Sequence, residues 1–217
     1  LGSTPSLGKT FSISTNSPGQ VNLIVTNIPG IGTGPAVTVT DNGGTITLSN
    51  GIVSIVIAKS DAHISTMNYH GTNLLAGGDN GGEFYWSWNQ PNFENPVVTQ
   101  YSLVQDPASN GGTVAEVDLF CQWSGSGSKA AVDVDIHYFL IQGSQGFYAS
   151  AVMSHPAGYP DMPGGEFRMV GYVNPTFNWL SVDAQRSRLM PLASTASVAV
   201  PGAPKEFQLW TTGIQQG

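Results

Sequence analysis

Ala131–Leu140, AVDVDIHYFL, decides the fold. Val132, Val134, Ile136, Tyr138 and Leu140 fall on one side of an extended chain, and Asp133, Asp135 and His137 fall on the other. A period of two over so many residues describes a strand with one face against a core. Upstream, Thr113–Trp123 has the same character and is separated from it by Ser124–Ser128. Downstream, Phe147–His155 follows a Gly143–Gly146 turn. Three successive strands with short Gly/Ser connections make an antiparallel meander.

The pattern continues toward the N-terminus. Val21, Leu23 and Val25 alternate with polar neighbours, as do Val37 with Val39, Ile46 with Leu48, and Val53 with Ile55 and Ile57. Asn27–Gly34 and Asp41–Gly44 between them are rich in residues that fix turns. No helical periodicity lasts beyond two turns, and no fixed repeat is visible. The first nine residues read as a loose arm. Residues 76–100 read as a loop, glycine-rich and then crowded with Phe84, Tyr85, Trp86, Trp88 and Phe93. Such a loop either folds back over the core or lines a groove. The expectation is an all-β antiparallel sandwich, with residues 1–217 forming one domain that is either complete or short of its C-terminal end.

Composition agrees and narrows the partners. The 217 residues include 27 glycines and 14 prolines, with 40% apolar and only 10% charged residues, a mixture of short elements and turns. A formal net charge of −7 argues against nucleic acid, whose phosphates need many cationic contacts. No apolar run approaches the roughly 20 residues that span a bilayer. Cys121 is the single cysteine, so no internal disulfide forms and the thiol reads as a small core residue. Asn174 is followed by Pro175, which blocks glycosylation there. A start at Leu1 points to a processed or engineered terminus. Few lysines and much Ser, Thr, Asn and Gly point to a secreted, extracellular protein, expected to be a monomer.

Several constellations offer chemistry. Glu116/Asp118 and Asp133/Asp135 each set two carboxylates on one face of a strand, where a solvated outer face is the simpler reading than a glycosidase pair. With His137 beyond, the second pair offers oxygen ligands of the kind calcium takes, but no calcium loop accompanies it. His-x-x-x-His and Cys-x-x-Cys are absent, which excludes the usual zinc patterns, and no cofactor is implied. There is no Gly-x-Ser-x-Gly elbow and no phosphate cradle. Among Trp86, Trp88, Trp123, Trp179 and Trp210, the aromatic loop makes Trp86 or Trp88 the better candidate for an exposed saccharide platform.

Cations are scarce, and the arginines are grouped. Arg168, Arg186 and Arg188 fall within 21 residues of a chain whose other cations are Lys9, Lys59, Lys129 and Lys205. A guanidinium fork pairs with carboxylates in bidentate fashion, so an acidic ligand is expected there. Ion pairing with Asp161, Glu166 and Asp183 is the competing structural account.

The same window carries a family likeness. Gly165-Glu166-Phe167-Arg168-Met169-Val170, followed by Asp183-Ala184-Gln185-Arg186-Ser187-Arg188-Leu189-Met190-Pro191, resembles the family-4 polysaccharide lyases, the rhamnogalacturonan lyases. Asn50-Gly51-Ile52, Met67–Leu75, the Gly82–Trp88 segment, the His137–Leu140 to Phe147-Tyr148 hairpin and Ala203–Glu206 support it in the same order. The resemblance implies a galactose-mutarotase-like β-super-sandwich that cleaves the rhamnose–galacturonate bond of rhamnogalacturonan I, an acidic plant polysaccharide, by β-elimination. It implies a substrate-contacting role for Arg168 and aligns Arg188 with the family's catalytic lysine. Guanidinium stays charged at ordinary pH, so Arg188 is expected to clamp the carboxylate, with Tyr138, Tyr172 or His137 closer to the proton. Arg186, Trp86, Trp88, Tyr138 and Tyr172 complete the expected substrate-binding set. A further catalytic residue of the family, a histidine, lies downstream of the Lys205–Gly217 region, and two smaller β-domains usually follow; whether 1–217 is active by itself stays open. The alternatives are a non-catalytic carbohydrate-binding sandwich and a sugar epimerase on the same scaffold.

Overall fold

The computed structural model describes residues 10–17, 20–26, 34–76, 84–89, 93–127, 129–162, 165–174, 176–181, 185, 187–189, 197–199 and 208–210. The expected arm over 1–9 and most of the expected turn over 27–34 lie outside them. Toward the N-terminus the strands are β1 (Thr10–Ser17), β2 (Gln20–Thr26), β3 (Thr38–Asp41), β4 (Thr45–Ser49), β5 (Val53–Ala58) and β6 (Ile64–Tyr69). Next come β7 (Thr72–Asn73), β8 (Phe84–Asn89), β9 (Phe93–Glu94), β10 (Gln100–Gln105), β11 (Val114–Cys121), β12 (Asp133–Ile141) and β13 (Tyr148–Ser154). The last five are β14 (Glu166–Gly171), β15 (Trp179–Ser181), β16 (Ser187–Leu189), β17 (Ser197–Ala199) and β18 (Gln208–Trp210). Helix is absent among the described residues.

The chain divides into two compact units, Leu1–Tyr172 and Val173–Gly217. The first holds the β1–β2 hairpin and two antiparallel sheets, one ordered β10-β11-β12-β13 and the other β14-β8-β6-β5-β4-β3, with β7 beside β6 and β9 beside β8. The second holds two hairpins, β15–β16 and β17–β18. The expected meander is present, with Val117 opposite Tyr138 and Ile136 opposite Ala151.

The sheets bury the faces that the alternation marks. Ala115, Val117, Leu119 and Cys121 of β11 join Val134, Ile136, Tyr138 and Leu140 of β12, and on the other sheet Ile46, Leu48, Val53, Ile55, Ile57 and Ile64 complete the same cluster. Each fully buried aliphatic side chain contributes about 1.5–3 kcal/mol, so this one continuous core is what holds the sheets together. Burial pushes the Cys121 thiol up to about 12, which leaves it inert as a nucleophile.

Two polar devices cross the core. Tyr138 is fully buried, donates its hydroxyl hydrogen to the carbonyl of Ala62 at 2.7 Å, and accepts the indole hydrogen of Trp86 at 3.1 Å. Asn50, also fully buried, donates to the carbonyls of Ile141 and Ser144 at 2.8 Å each, while its own oxygen accepts from the amides of Ile52 and Val53. All of its hydrogen-bonding capacity is satisfied, so the side chain clasps the β4–β5 turn to the β12–β13 turn. Gly51 follows at φ +76°, and a Cβ there would sit 2.8 Å from Pro35.

The aromatic stretch corrects the expectation of a loop. Phe84–Asn89 forms β8, inside the larger sheet, and Trp86 and Trp88 are 9% and 8% exposed. Their area is spent on the core, so neither is the exposed platform expected of the aromatic loop. Consecutive aromatics without polar alternation suit a strand buried on both faces, which period-two counting does not register.

Candidate functional site

β14 pairs with β8 so that Phe167 faces Trp88 and Arg168 faces Ser87. The Phe167 ring stacks on Trp88 at 5.6 Å and 9° and leans on Trp86 at 5.7 Å. With Phe167 held inward, the pleat turns Glu166, Arg168 and Val170 to the other face. There Arg168 donates from Nε to the buried Ser87 hydroxyl at 3.0 Å, and its Nη1 lies 3.7 Å from Glu166 Oε1. The Arg168 side chain is 21% exposed and Glu166 49%. A wide contact to an exposed carboxylate is worth 1 kcal/mol or less, whereas the Ser87 bond aims the guanidinium. The Ser87 bond thus orients the guanidinium on this face.

The Arg168 face continues into an aromatic run. Tyr85 is opposite Val170, two positions from Ser87, and its ring stacks on Tyr172 at 6.2 Å and 22° and meets His63 at 5.3 Å. Tyr172 is half-buried, and its carbonyl accepts the amide of Ala76. His63 follows Ala62, a non-glycine residue at φ 59°, and its Nε2 is buried without a hydrogen-bond partner. Backbone in that region persists only where surrounding contacts enforce it, here the Tyr138 hydroxyl on the Ala62 carbonyl. His63 and Tyr85 were not singled out by sequence reasoning. Neither carries a motif, and only strand pairing brings them to the arginine's sheet.

The other expected residues go to different places. Tyr138 lies in the core, where burial raises its hydroxyl far above the ordinary tyrosine range, so it stands sealed from substrate as a structural hydroxyl. Arg188 is on β16, with its backbone opposite Leu180, in the second unit. Arg186 lies outside the described residues.

His137 sits on the outer face of the four-stranded sheet within a cluster of acids. Its Nδ1 is 2.9 Å from Glu116 and its Nε2 is 3.4 Å from Asp135. The hydrogen bond to Glu116 leads in raising the imidazole pKa, against burial that lowers it. Asp118, which accepts from Ser102 at 3.3 Å, is pushed up to about 6, first by burial and then by Asp135. The Oδ1 atoms of Asp118 and Asp135 are buried and have no hydrogen-bond donor. Asp118, Asp135 and His137 bring their polar atoms within 4.8 Å of one another. Each imidazole nitrogen faces a carboxylate, and the raised pKa favours the protonated ring, in which both nitrogens donate. Sequence reading found both acid pairs on their own strands; the register that sets Asp118 against His137 joins them.

A family model described as the rhamnogalacturonate lyase family matches residues 24–205. No curated protein matches the chain.

Proposed function

The chain belongs to the rhamnogalacturonate lyase family, and from that premise we propose that it cleaves rhamnogalacturonan I at the rhamnose–galacturonate bond by β-elimination, outside the cell where that polymer lies. The observation that carries this reading is Arg168, whose Nε is held by Ser87 Oγ at 3.0 Å on the sheet face that also carries Tyr85 and Tyr172.

The chemistry sets three demands. Elimination removes the proton on the uronate C5; its electrons form the C4–C5 double bond while the C4–O bond breaks, and the departing rhamnose oxygen takes a proton. C5 becomes acidic enough only when charge on the adjoining carboxylate is offset, and a preorganised guanidinium supplies that offset. Arg168 fills this role. Of the groups expected near the transferred proton, Tyr138 is buried and His137 belongs to the acidic network on the other sheet. Tyr172 shares the Arg168 face, four residues along, or about 13 Å of extended strand, which leaves room for a sugar between two long side chains. Tyr172 is the proton-handling group in this reading, with Tyr85 and His63 setting its ring.

Incubating the protein with rhamnogalacturonan I and following the ultraviolet absorbance of the unsaturated uronate tests the assignment. Absorbance that grows with time and is lost in Arg168→Ala supports it. Binding without new absorbance instead identifies a carbohydrate-binding sandwich.

A further inference from the structure

The outer face of the smaller sheet holds a donor set that the elimination chemistry does not use. Strand pairing sets Asp118 on β11 opposite His137 on β12, with Asp135 two positions back on the same face. One ligand atom from each of the three comes within 4.8 Å of the others. Acids alone are ordinary on a wet sheet face; an imidazole aimed at them is not. Its Nδ1 donates to Glu116 Oε1 at 2.9 Å, and its ring stacks on Phe139 at 5.9 Å and 15°. Those contacts fix the ring and leave Nε2 toward the aspartates, the carboxylate–histidine arrangement that supports metal ligation. Nε2 lies 3.4 Å from Asp135 Oδ2. An ordinary N–H···O bond is shorter, about 2.9–3.0 Å. Two ligands on a tetrahedral ion with bonds of about 2.0–2.1 Å stand about 3.3–3.4 Å apart.

A second observation points the same way. Asp118 Oδ1 and Asp135 Oδ1 are buried and accept no hydrogen bond, although Asp118 Oδ2 accepts from Ser102. A buried acceptor without a donor calls for an occupant, either a proton shared between the acids or an ion. Two lysines are committed elsewhere, Lys59 to Asp41 and Lys129 to Glu94. With Glu116 counted, three carboxylates surround one imidazole, an excess of negative charge that a divalent ion offsets. Phe120, opposite Asp135, and Phe139 share that face and are half-buried, so the donors sit between apolar rings, where charge is felt more strongly than in open water. We propose that Asp118, Asp135 and His137 form a binding site for a first-row divalent transition ion, best matched by zinc, with Glu116 orienting the imidazole and solvent completing the coordination. On binding, the Nε2 proton leaves for solvent and the freed lone pair takes the ion. One nitrogen and two oxygens suit zinc over calcium or magnesium, which take oxygen alone. The ion ties β11 to β12 and has no part in the elimination.

Calorimetric titration of zinc chloride into the untagged full chain at pH 7.5, after removal of metal with EDTA and dialysis, tests the site. One equivalent should bind, and the melting temperature should rise with zinc. Glu116→Ala should weaken binding about tenfold, as for loss of an outer-shell partner. His137→Ala and Asp135→Asn, which remove or weaken a ligand, should lose more than that. His155→Ala, an exposed histidine elsewhere, should bind as wild type does. Should His137→Ala unfold, as read by circular dichroism, the near-isosteric Asp135→Asn carries the test. Absence of zinc binding in the wild type overturns the site. Zinc held equally well by folded His137→Ala or Asp135→Asn is an adventitious ion only and overturns it too. Displacement of zinc by equimolar calcium overturns the choice of ion. The absorbance assay for elimination is a separate measurement, so failure of the lyase reading leaves the zinc result standing, and the reverse.

Discussion

The outer faces of the two sheets carry opposite chemistry. On the larger sheet, β14 and β8 present Arg168, aimed by Ser87 and followed by Tyr85 and Tyr172. On the smaller, β11 and β12 present Glu116, Asp118 and Asp135 around His137. Both faces belong to strands whose other sides enter one core, and on β8 the Arg168 side is buried as well, at Tyr85 and Ser87. What separates them is how charge is balanced. His137 lies 2.9 and 3.4 Å from two carboxylates, whereas the Arg168 Nε donates to the Ser87 hydroxyl at 3.0 Å and its Nη1 lies 3.7 Å from Glu166. A guanidinium attracts an acidic polymer, and a face of carboxylates repels one.

Four measurements sharpen or break this contrast. The largest effect is expected from Arg168→Ala, which should lower kcat on rhamnogalacturonan by about a hundredfold or more, as for loss of one preorganised charge-stabilising donor. In the same assay Asp118→Asn should stay within about a factor of two, since surface changes away from a site are close to neutral. Equal losses in both would end the distinction between the faces. Next comes Asn50→Ala, which takes the Asn50 amide from the Ser144 carbonyl and one of two donors from the Ile141 carbonyl, and should cost about 2–3 kcal/mol in urea unfolding, with turnover per folded molecule unchanged. Tyr138→Phe should cost about 1–2 kcal/mol through the unpaired Ala62 carbonyl and Trp86 indole. Its activity should survive, and a collapse of kcat in a folded Tyr138→Phe would return that hydroxyl to the chemistry.

The smallest effect is on pH. Asp118 titrates higher in the folded protein than the ordinary 3.8, and His137 higher than 6.5, so the folded state binds the extra protons in both ranges. The contribution of these two groups to stability is greatest below about pH 4, is lost in part as Asp118 ionises toward about 6, and falls again as His137 deprotonates above 6.5. Discounting for exposure, the Asp118 step is worth about 1 kcal/mol. Melting temperature against pH should show that decline, and Asp118→Asn should erase its lower step.

Strand identity was legible where one face of a strand is wet. β11, β12 and β5 alternate, and their buried faces are the residues that counting by two selects. β8 was not legible because Tyr85, Trp86, Ser87 and Trp88 are all buried, which erases alternation. β10 and β14 hid for the opposite reason, since Tyr101 to Leu103 and Phe167 to Arg168 are half-buried on both sides. At the site, Arg168 could be selected because guanidinium is rare in this chain. Tyr85 and His63 could not, because their place beside Tyr172 is set by strand pairing across the sheet. The Trp86 and Trp88 expectation failed on a related point: composition records that aromatics are abundant but not which of them the core takes, and among the described residues the exposed indole is Trp179.

The Asn50 clasp has a kinetic side. Its amide reaches carbonyls 91 and 94 residues further along the chain, so neither bond can form until both sheets exist. Closing so long a loop is slow, and a chain governed by such distant pairings folds on the millisecond-to-second scale. During synthesis the ribosome must deliver residue 144 before the first turn can lock. Until then the apolar sides of β4 and β5 stand open to other chains, an interval of exposure to aggregation.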